Sequence, residues 1–218
     1  MTEAATSPET SAESERSRAL APYLAQLRPA IVGLALLTLI TGALYPVLIY
    51  GIGQIAFSAQ ANGSLERRGG VVVGSRLIGQ PFARPEYFQP RPSAAGAGYD
   101  ATQSSGTNLA PANPKLIGAV ADASAAYRKL NGLTPDAPLP IDAVTSSGSG
   151  LDPDITPANA ELQAPRIATA RGVPEATVRS LIASHTRGPD LAVLGQSRVS
   201  VLELNLALDA TAPPRHPK

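Results

Sequence analysis

The chain has 218 residues, 44% of them hydrophobic and 16% charged, with a net charge of +1, no cysteine, two histidines, 21 prolines and 19 glycines. The absence of cysteine excludes a disulfide framework and thiolate metal ligation. His216 sits in a proline-rich tail and leaves only His185 inside the chain, so no metal site is expected, and the near-zero charge argues against nucleic acid as a partner.

Met1–Ser17 is rich in Ser, Thr, Glu and Ala without an apolar period, and residues 1–28 read as a disordered cytoplasmic tail. No charged residue occurs between Arg28 and Glu66, and Ala30–Tyr50 is almost wholly apolar. As a helix that run spans roughly 30 Å, the thickness of a hydrocarbon core. Residues 29–57 are therefore expected to form a transmembrane anchor, with Tyr45 and Tyr50 at an interface and a kink at Pro46. Ala59-Gln60-Ala61 resembles a signal-peptidase site, but the apolar run is longer than a signal h-region. Arg16, Arg18 and Arg28 before the span, against Arg67 and Arg68 farther after it, favour a cytoplasmic N-terminus and an external C-terminal domain.

Residues 58–208 suffice for one domain with a core of its own. Gly70–Ile78 reads as a strand. Gln80–Thr107 reads as a long loop that carries Tyr87, Phe88 and Tyr99, either to pin it to the core or to meet a partner. Asn113-Pro114 is an N-cap followed by Pro, and opens a helix with a face of Leu116, Ile117, Val120, Ala121, Ser124, Tyr127 and Leu130, stopped by Gly132. A short strand is expected at Pro140–Val144. Thr156-Pro157 starts a second helix, bent or broken at Pro165. Val173-Pro174 starts a third, with Val178, Leu181 and Ile182 as its apolar face. Alternation over Ser197–Leu208 predicts a closing strand, and residues 209–218 a flexible tail. Helices and strands without regular βαβ spacing indicate an α+β domain behind a single membrane helix.

Catalytic signatures are sparse. No Gly-Lys dipeptide exists to build a Walker A loop, and Gly96-Ala97-Gly98 follows no strand, as a dinucleotide fingerprint requires. Ser149, His185 and Asp152 lack the surroundings of a nucleophile elbow. Asp152 and Asp154, flanking Pro153, suit a turn and the start of a helix. The loop Ser146–Leu151 allows two readings. Gly148 and Gly150 let backbone N–H groups converge on an anion, which makes Ser147, Gly148, Ser149, Gly150 and Asp152, with Gln163 and Arg166, a candidate nucleotide site. The alternative, favoured because no Lys is near, is a tight turn that feeds a helix.

Several blocks, in order, resemble one family. They are Thr41-Gly42-Ala43-Leu44-Tyr45-Pro46, Gly74-Ser75-Arg76-Leu77-Ile78-Gly79-Gln80, Tyr87-Phe88-Gln89-Pro90-Arg91-Pro92-Ser93, Ser105-Gly106-Thr107-Asn108-Leu109, and most strongly Val144–Asp154, followed by Gln163, Arg166–Arg171 and Leu194-Gly195 to Leu208. Over about 34–209 the chain is similar to the C subunit (KdpC) of Kdp-type potassium-transporting ATPases. Departures are local: Ser147 extends the Ser-Ser turn, Thr107 stands for a usual Ser, Ile155-Thr156 follows Asp154 where His-Ile-Ser is common, and Ser200 replaces a usual Asn.

The resemblance implies a non-catalytic subunit of a potassium-uptake complex in the plasma (inner) membrane, with no cofactor of its own. Its implied partners are a channel-like A subunit, a P-type ATPase B subunit, a small F subunit and the lipid bilayer. It also implies a chaperone-like role that raises the ATP affinity of the ATPase subunit, with ATP reached through the complex or, alternatively, contacted by Ser146–Asp154. Gly42, Tyr45 and Pro46 in the span, and Tyr87, Phe88, Arg91, Tyr99, Asn108 and Asn113 in the domain, are the candidate partner contacts.

Overall fold

A computed structural model describes residues 8–214, with side chains from residue 21 onward. The chain divides into two compact units, one ending at Ala61 and one beginning at Asn62.

The first unit is helical. Helix α1 (Pro8–Leu39) passes through a π-helical turn (Ile40–Leu44) into α2 (Tyr45–Ala56), and a short α3 (Ser58–Ala61) follows. Residues 8–28, expected in a disordered tail, are thus helical; residues 1–7 lie outside the described residues. Ala21–Ala56 is long and apolar enough to cross a membrane. Every large apolar side chain from Tyr23 to Phe57 is exposed, as lipid rather than water would favour. Pro46 has no N–H and opens a fresh helical segment: the Tyr45 N–H reaches Ile40 O across the wide turn, which takes up the fault that Pro46 introduces.

The second unit begins with a hairpin of β1 (Leu65–Arg68) and β2 (Val71–Ser75), turned by Gly69 and Gly70, both at positive φ. The expected strand over 70–78 is therefore shorter, and its partner β1 was not predicted. A long stretch without regular structure leads to α4 (Pro114–Asn131). As expected, Asn113 caps it by accepting from Lys115 N at 2.9 Å, and Gly132 closes it in the left-handed conformation. Its inward face carries Leu116, Val120, Ala123, Ser124 and Tyr127, whereas Ile117 and Leu130 are exposed.

The expected strand at 140–144 is instead a 3₁₀ turn, Ile141–Ala143, because Asp142 is drawn inward to bond the start of the next helix. Strand β3 (Asp154–Ile155) precedes α5 (Pro157–Arg171), α6 (Glu175–His185), β4 (Thr186–Arg187), β5 (Arg198–Ser200) and α7 (Val201–Thr211). β5 lies between β3 and β4, antiparallel to both. Helix α5 runs unbroken through Pro165. That residue is on the exposed face, where water is available to the freed carbonyl one turn back.

The largest correction concerns Ser197–Leu208. Only Arg198–Ser200 is strand; Ser197 has no regular structure, and Val201–Leu208 belongs to α7. Ser200 accepts from Glu203 N at 3.5 Å as N-cap, and Val201, Leu204, Asn205 and Leu208 then share one buried face at helical spacing. The alternating leucines fit both periods, and burial selects the helical one. α7 also takes Asp209 out of the expected tail, and the next residue after the helix, Ala212, is 5% exposed.

The core joins Phe88, Ile155, Ala164, Ile167, Val178, Ile182, Val199, Leu204 and Leu208. It lies among α5, α6, α7 and β5, with Phe88 contributed by the long irregular stretch. Among the described residues no buried side-chain nitrogen or oxygen lacks a hydrogen-bond partner.

Candidate functional site

The candidate residues fall into two polar clusters with the segment 85–93 between them. In the first, α5 places Asn159, Gln163 and Arg166 one helical turn apart, on its inner side. Gln163, 1% exposed, accepts from Gln89 N at 2.8 Å and donates to Gln89 O at 3.1 Å and Asn159 Oδ1 at 3.0 Å. Arg166 donates to Gln163 Oε1 and Asn131 Oδ1, each at 2.9 Å, to Tyr87 O at 3.1 Å, and to Pro85 O. Burial lowers its pKa to about 10, so the guanidinium is charged at neutral pH.

From the other side, Asn205 of α7 accepts from Phe88 N at 2.8 Å and donates to Phe88 O at 2.9 Å. Arg171, 2% exposed, donates to Glu86 O at 2.9 Å and Ala212 O at 2.6 Å and pairs with Asp209 at 2.9 Å. Five successive carbonyls, Pro85 to Gln89, are thus bonded by side chains of α5 and α7. The backbone here has no sheet partner, and amide and guanidinium groups take that place.

Asp142 completes this cluster. Its carboxylate accepts from Thr156 N at 2.7 Å, Thr156 Oγ1 at 2.9 Å and Asn159 Nδ2 at 3.0 Å. Tyr127 of α4 donates to Asn159 Oδ1 at 2.8 Å. Sequence reasoning assigned no role to Asp142, Asn159, Arg171 or Asn205. The available signal was polar residues at the inner positions of otherwise apolar helix faces, such as Asn205 between Leu204 and Leu208.

The second cluster is the loop Ser146–Leu151. Its carbonyls accept from neighbouring segments: Ser149 O from Ser105 N at 2.9 Å, Gly150 O from Ser93 Oγ at 2.6 Å, and Leu151 O from Gly79 N at 2.7 Å. Arg91 donates to Ser146 O at 3.3 Å and pairs with Asp152 at 3.0 Å. The other Asp152 oxygen accepts from Asp154 N at 3.0 Å, the turn that the Asp-Pro-Asp spacing suggested. Gly150 is left-handed at φ +67°, and a Cβ there would come within 2.6 Å of Ala95 N and Ser105 O. Ser147 and Ser149 share a hydroxyl contact at 3.3 Å, and Gly148 and Ser149 are exposed.

No hydrogen bond described joins Gln163 or Arg166 to this loop; both bond within the first cluster. A cleft of about 200 Å³ beside the loop is lined by Asp142, Asp152 and Asp154 as well as Arg91 and Arg198. Each arginine is paired with an aspartate, Arg198 with Asp154 at 3.4 Å. Burial and the neighbouring Asp152 raise the pKa of Asp154. His185 Nδ1 faces Leu181 O at 2.9 Å and Ser184 Oγ at 3.1 Å.

The candidate contact residues are mostly engaged within the domain. Phe88 is fully buried. Tyr87 lies between Arg84 and Arg171, 5.0 and 4.8 Å from its ring centre, and donates to Asp209 at 3.2 Å. Tyr99 donates to Arg91 O at 2.6 Å. Asn113 is the cap of α4, and Asn108 is exposed at φ +52°. Gly42, Tyr45 and Pro46 lie on the exposed membrane-length helix.

The family model for KdpC, the c chain of the K+-transporting ATPase, matches residues 27–210. A curated relative, the potassium-transporting ATPase KdpC subunit of Caulobacter vibrioides, is 57% identical over 88% of this chain and 96% of its own length. The proteins of the same description from Mycobacterium bovis and Beijerinckia indica are 54% and 53% identical, over 84% and 89% of this chain and 97% and 98% of their own lengths.

Proposed function

The chain belongs to the KdpC family, the c chain of K+-transporting ATPases, and on that basis we propose that it is a non-catalytic subunit of a potassium-transporting ATPase complex. It is anchored by one membrane span with a cytoplasmic N-terminus, and its second unit works outside the cytoplasm as a rigid docking body. Its partners are the channel-like subunit, the P-type ATPase subunit and the small F subunit. The observation that carries this reading is the grip of α5 and α7 on residues 85–89. It consumes Gln163 and Arg166 inside the domain and makes the long irregular stretch stiff enough to present a fixed surface.

Raised ATP affinity of the ATPase subunit would then arise through assembly. The acids lining the cleft beside the Ser/Gly loop oppose a polyphosphate, which supports this indirect route over direct contact. Two measurements test the reading. A reporter fused after Lys218, beyond the end of α7, should be external, and the full chain should co-purify with the other subunits. An internal reporter overturns the topology. Saturable ATP binding by the detergent-solubilised full chain, lost in Gly148→Asp, where an added Cβ meets nothing within 4 Å, at unchanged thermal stability, would establish direct nucleotide contact instead.

A further inference from the structure

The β1–β2 hairpin, residues 81–87 and α7 border a cleft of about 340 Å³, within the size range of small-molecule sites. Its apolar floor comes from Val73, Pro81, Phe82, Leu202 and Leu206. Arg68 and Arg84 also line it, with side chains 44 and 61% exposed. Arg68 meets Asp209 only at 3.7 Å, beyond hydrogen-bond reach, and that carboxylate already accepts from Arg171 at 2.9 Å and from Tyr87 at 3.2 Å. Arg84 pairs with Glu86 at 3.2 Å. Three guanidinium groups (Arg68, Arg84 and Arg171) thus share two carboxylates (Asp209 and Glu86), which leaves one positive charge uncompensated beside an apolar floor.

We infer that this cleft binds an anionic phospholipid, with an acyl chain against Val73, Phe82, Leu202 and Leu206 and the phosphodiester at Arg68 and Arg84. The single surplus charge matches a monoanionic headgroup, and guanidinium groups bind phosphate oxygens through paired N–H donors. A peptide fits less well, because the edge of β2 is closed: Gln80 accepts from Ser75 N and donates to Val73 O, each at 3.3 Å. A source of the lipid is close along the chain. Leu65, where β1 begins, is the ninth residue after Ala56, and α3 winds Ser58–Ala61 between them, so the linker reaches at most about 25 Å. The choice of a phospholipid over other anionic amphiphiles rests on reading residues 29–57 as a membrane anchor.

The test titrates the full chain, in a neutral detergent, with dihexanoylphosphatidylglycerol. Binding should saturate, and should weaken about tenfold or more when dihexanoylphosphatidylcholine replaces it or when Arg68→Gln is combined with Arg84→Gln. Arg67→Gln, which removes a neighbouring cation bonded only to Gly70 O, should leave binding unchanged. Because the chain has no cysteine, Val73→Cys gives a single label site in the cleft without touching the arginines: the phosphatidylglycerol should protect it from a maleimide, and the phosphatidylcholine should not. Equal binding of the two lipids, wild-type binding by the double variant, or an unprotected cysteine overturns the proposal. Glycerol phosphate binding as tightly marks a bare anion site, and octanoate binding as tightly marks a fatty-acid site; either overturns the phospholipid. Flotation of the full chain with neutral vesicles tests the anchor separately: its failure removes the membrane reading, and the titration alone then decides the cleft.

Discussion

Asn205 holds Phe88 by both of its backbone groups, accepting from the N–H at 2.8 Å and donating to the C=O at 2.9 Å, across 117 residues of sequence. Gln163 does the same for Gln89 at 2.8 and 3.1 Å. Two side-chain amides from two helices therefore act as strand neighbours for adjacent residues. This arrangement lets the Phe88 ring reach the core while its chain runs between α5 and α7.

Replacing Asn205 by Leu keeps the volume and removes both bonds. The Phe88 N–H and C=O are then left unpaired in a dry site, and the chain should lose about 3 kcal/mol of stability. Asn205→Asp should also destabilise, because its carboxylate faces the Phe88 carbonyl. Denaturant unfolding of the solubilised chain measures both. A loss within the roughly 0.5 kcal/mol typical of surface substitutions would remove the amide clamp from the account.

The two glycines of the Ser/Gly loop should behave oppositely. Gly150→Ala combines a left-handed backbone with two backbone atoms 2.6 Å from the new methyl group, and should cost about 3 kcal/mol or more. At Gly148 a Cβ meets nothing within 4 Å, so Gly148→Ala should change stability by less than about 0.5 kcal/mol. Equal effects in melting experiments would contradict the packing of this loop against Ala95 and Ser105.

Tyr99 makes the domain sensitive to alkali. Burial pushes its hydroxyl up to about 12 from an ordinary 10.0. The folded value is the higher one, so the neutral hydroxyl's contribution is complete below pH 10 and is lost as the pH rises towards 12. Unfolding curves should show wild-type stability falling across that window more steeply than that of Tyr99→Phe, which cannot ionise. Parallel pH profiles would refute the assignment.

Ser200 is the junction of β5 and α7. Ser200→Ala removes the N-cap and should cost about 1 kcal/mol, whereas Ser200→Asn, an equally good cap, should be near neutral in the same unfolding assay. If Asn proves as damaging as Ala, the buried Ser200 is held by its size rather than by its cap.

What the sequence alone determined is what neighbours along the chain determine. Asn113-Pro114 and Thr156-Pro157 announce α4 and α5 because a cap bonds an N–H two or three residues away, and Gly132 ends α4 by its own left-handed backbone. The membrane-length helix follows from an uninterrupted apolar run, and its π turn before Pro46 only adjusts it. Tertiary structure decided the rest. Val201–Leu208 carries leucines that satisfy both a strand and a helix period, and became α7 because Val201, Leu204 and Leu208 could all reach one core. Gln163 and Arg166 were visible as unusual polar residues on a helix. Their role was not, since the carbonyls they bind lie 74 to 81 residues earlier in the chain, in a segment with no periodicity of its own. The same holds for the Ser/Gly loop: its composition suits either an anion or a turn, and its partners Ser93, Ser105 and Gly79 come close to it only once the domain is folded.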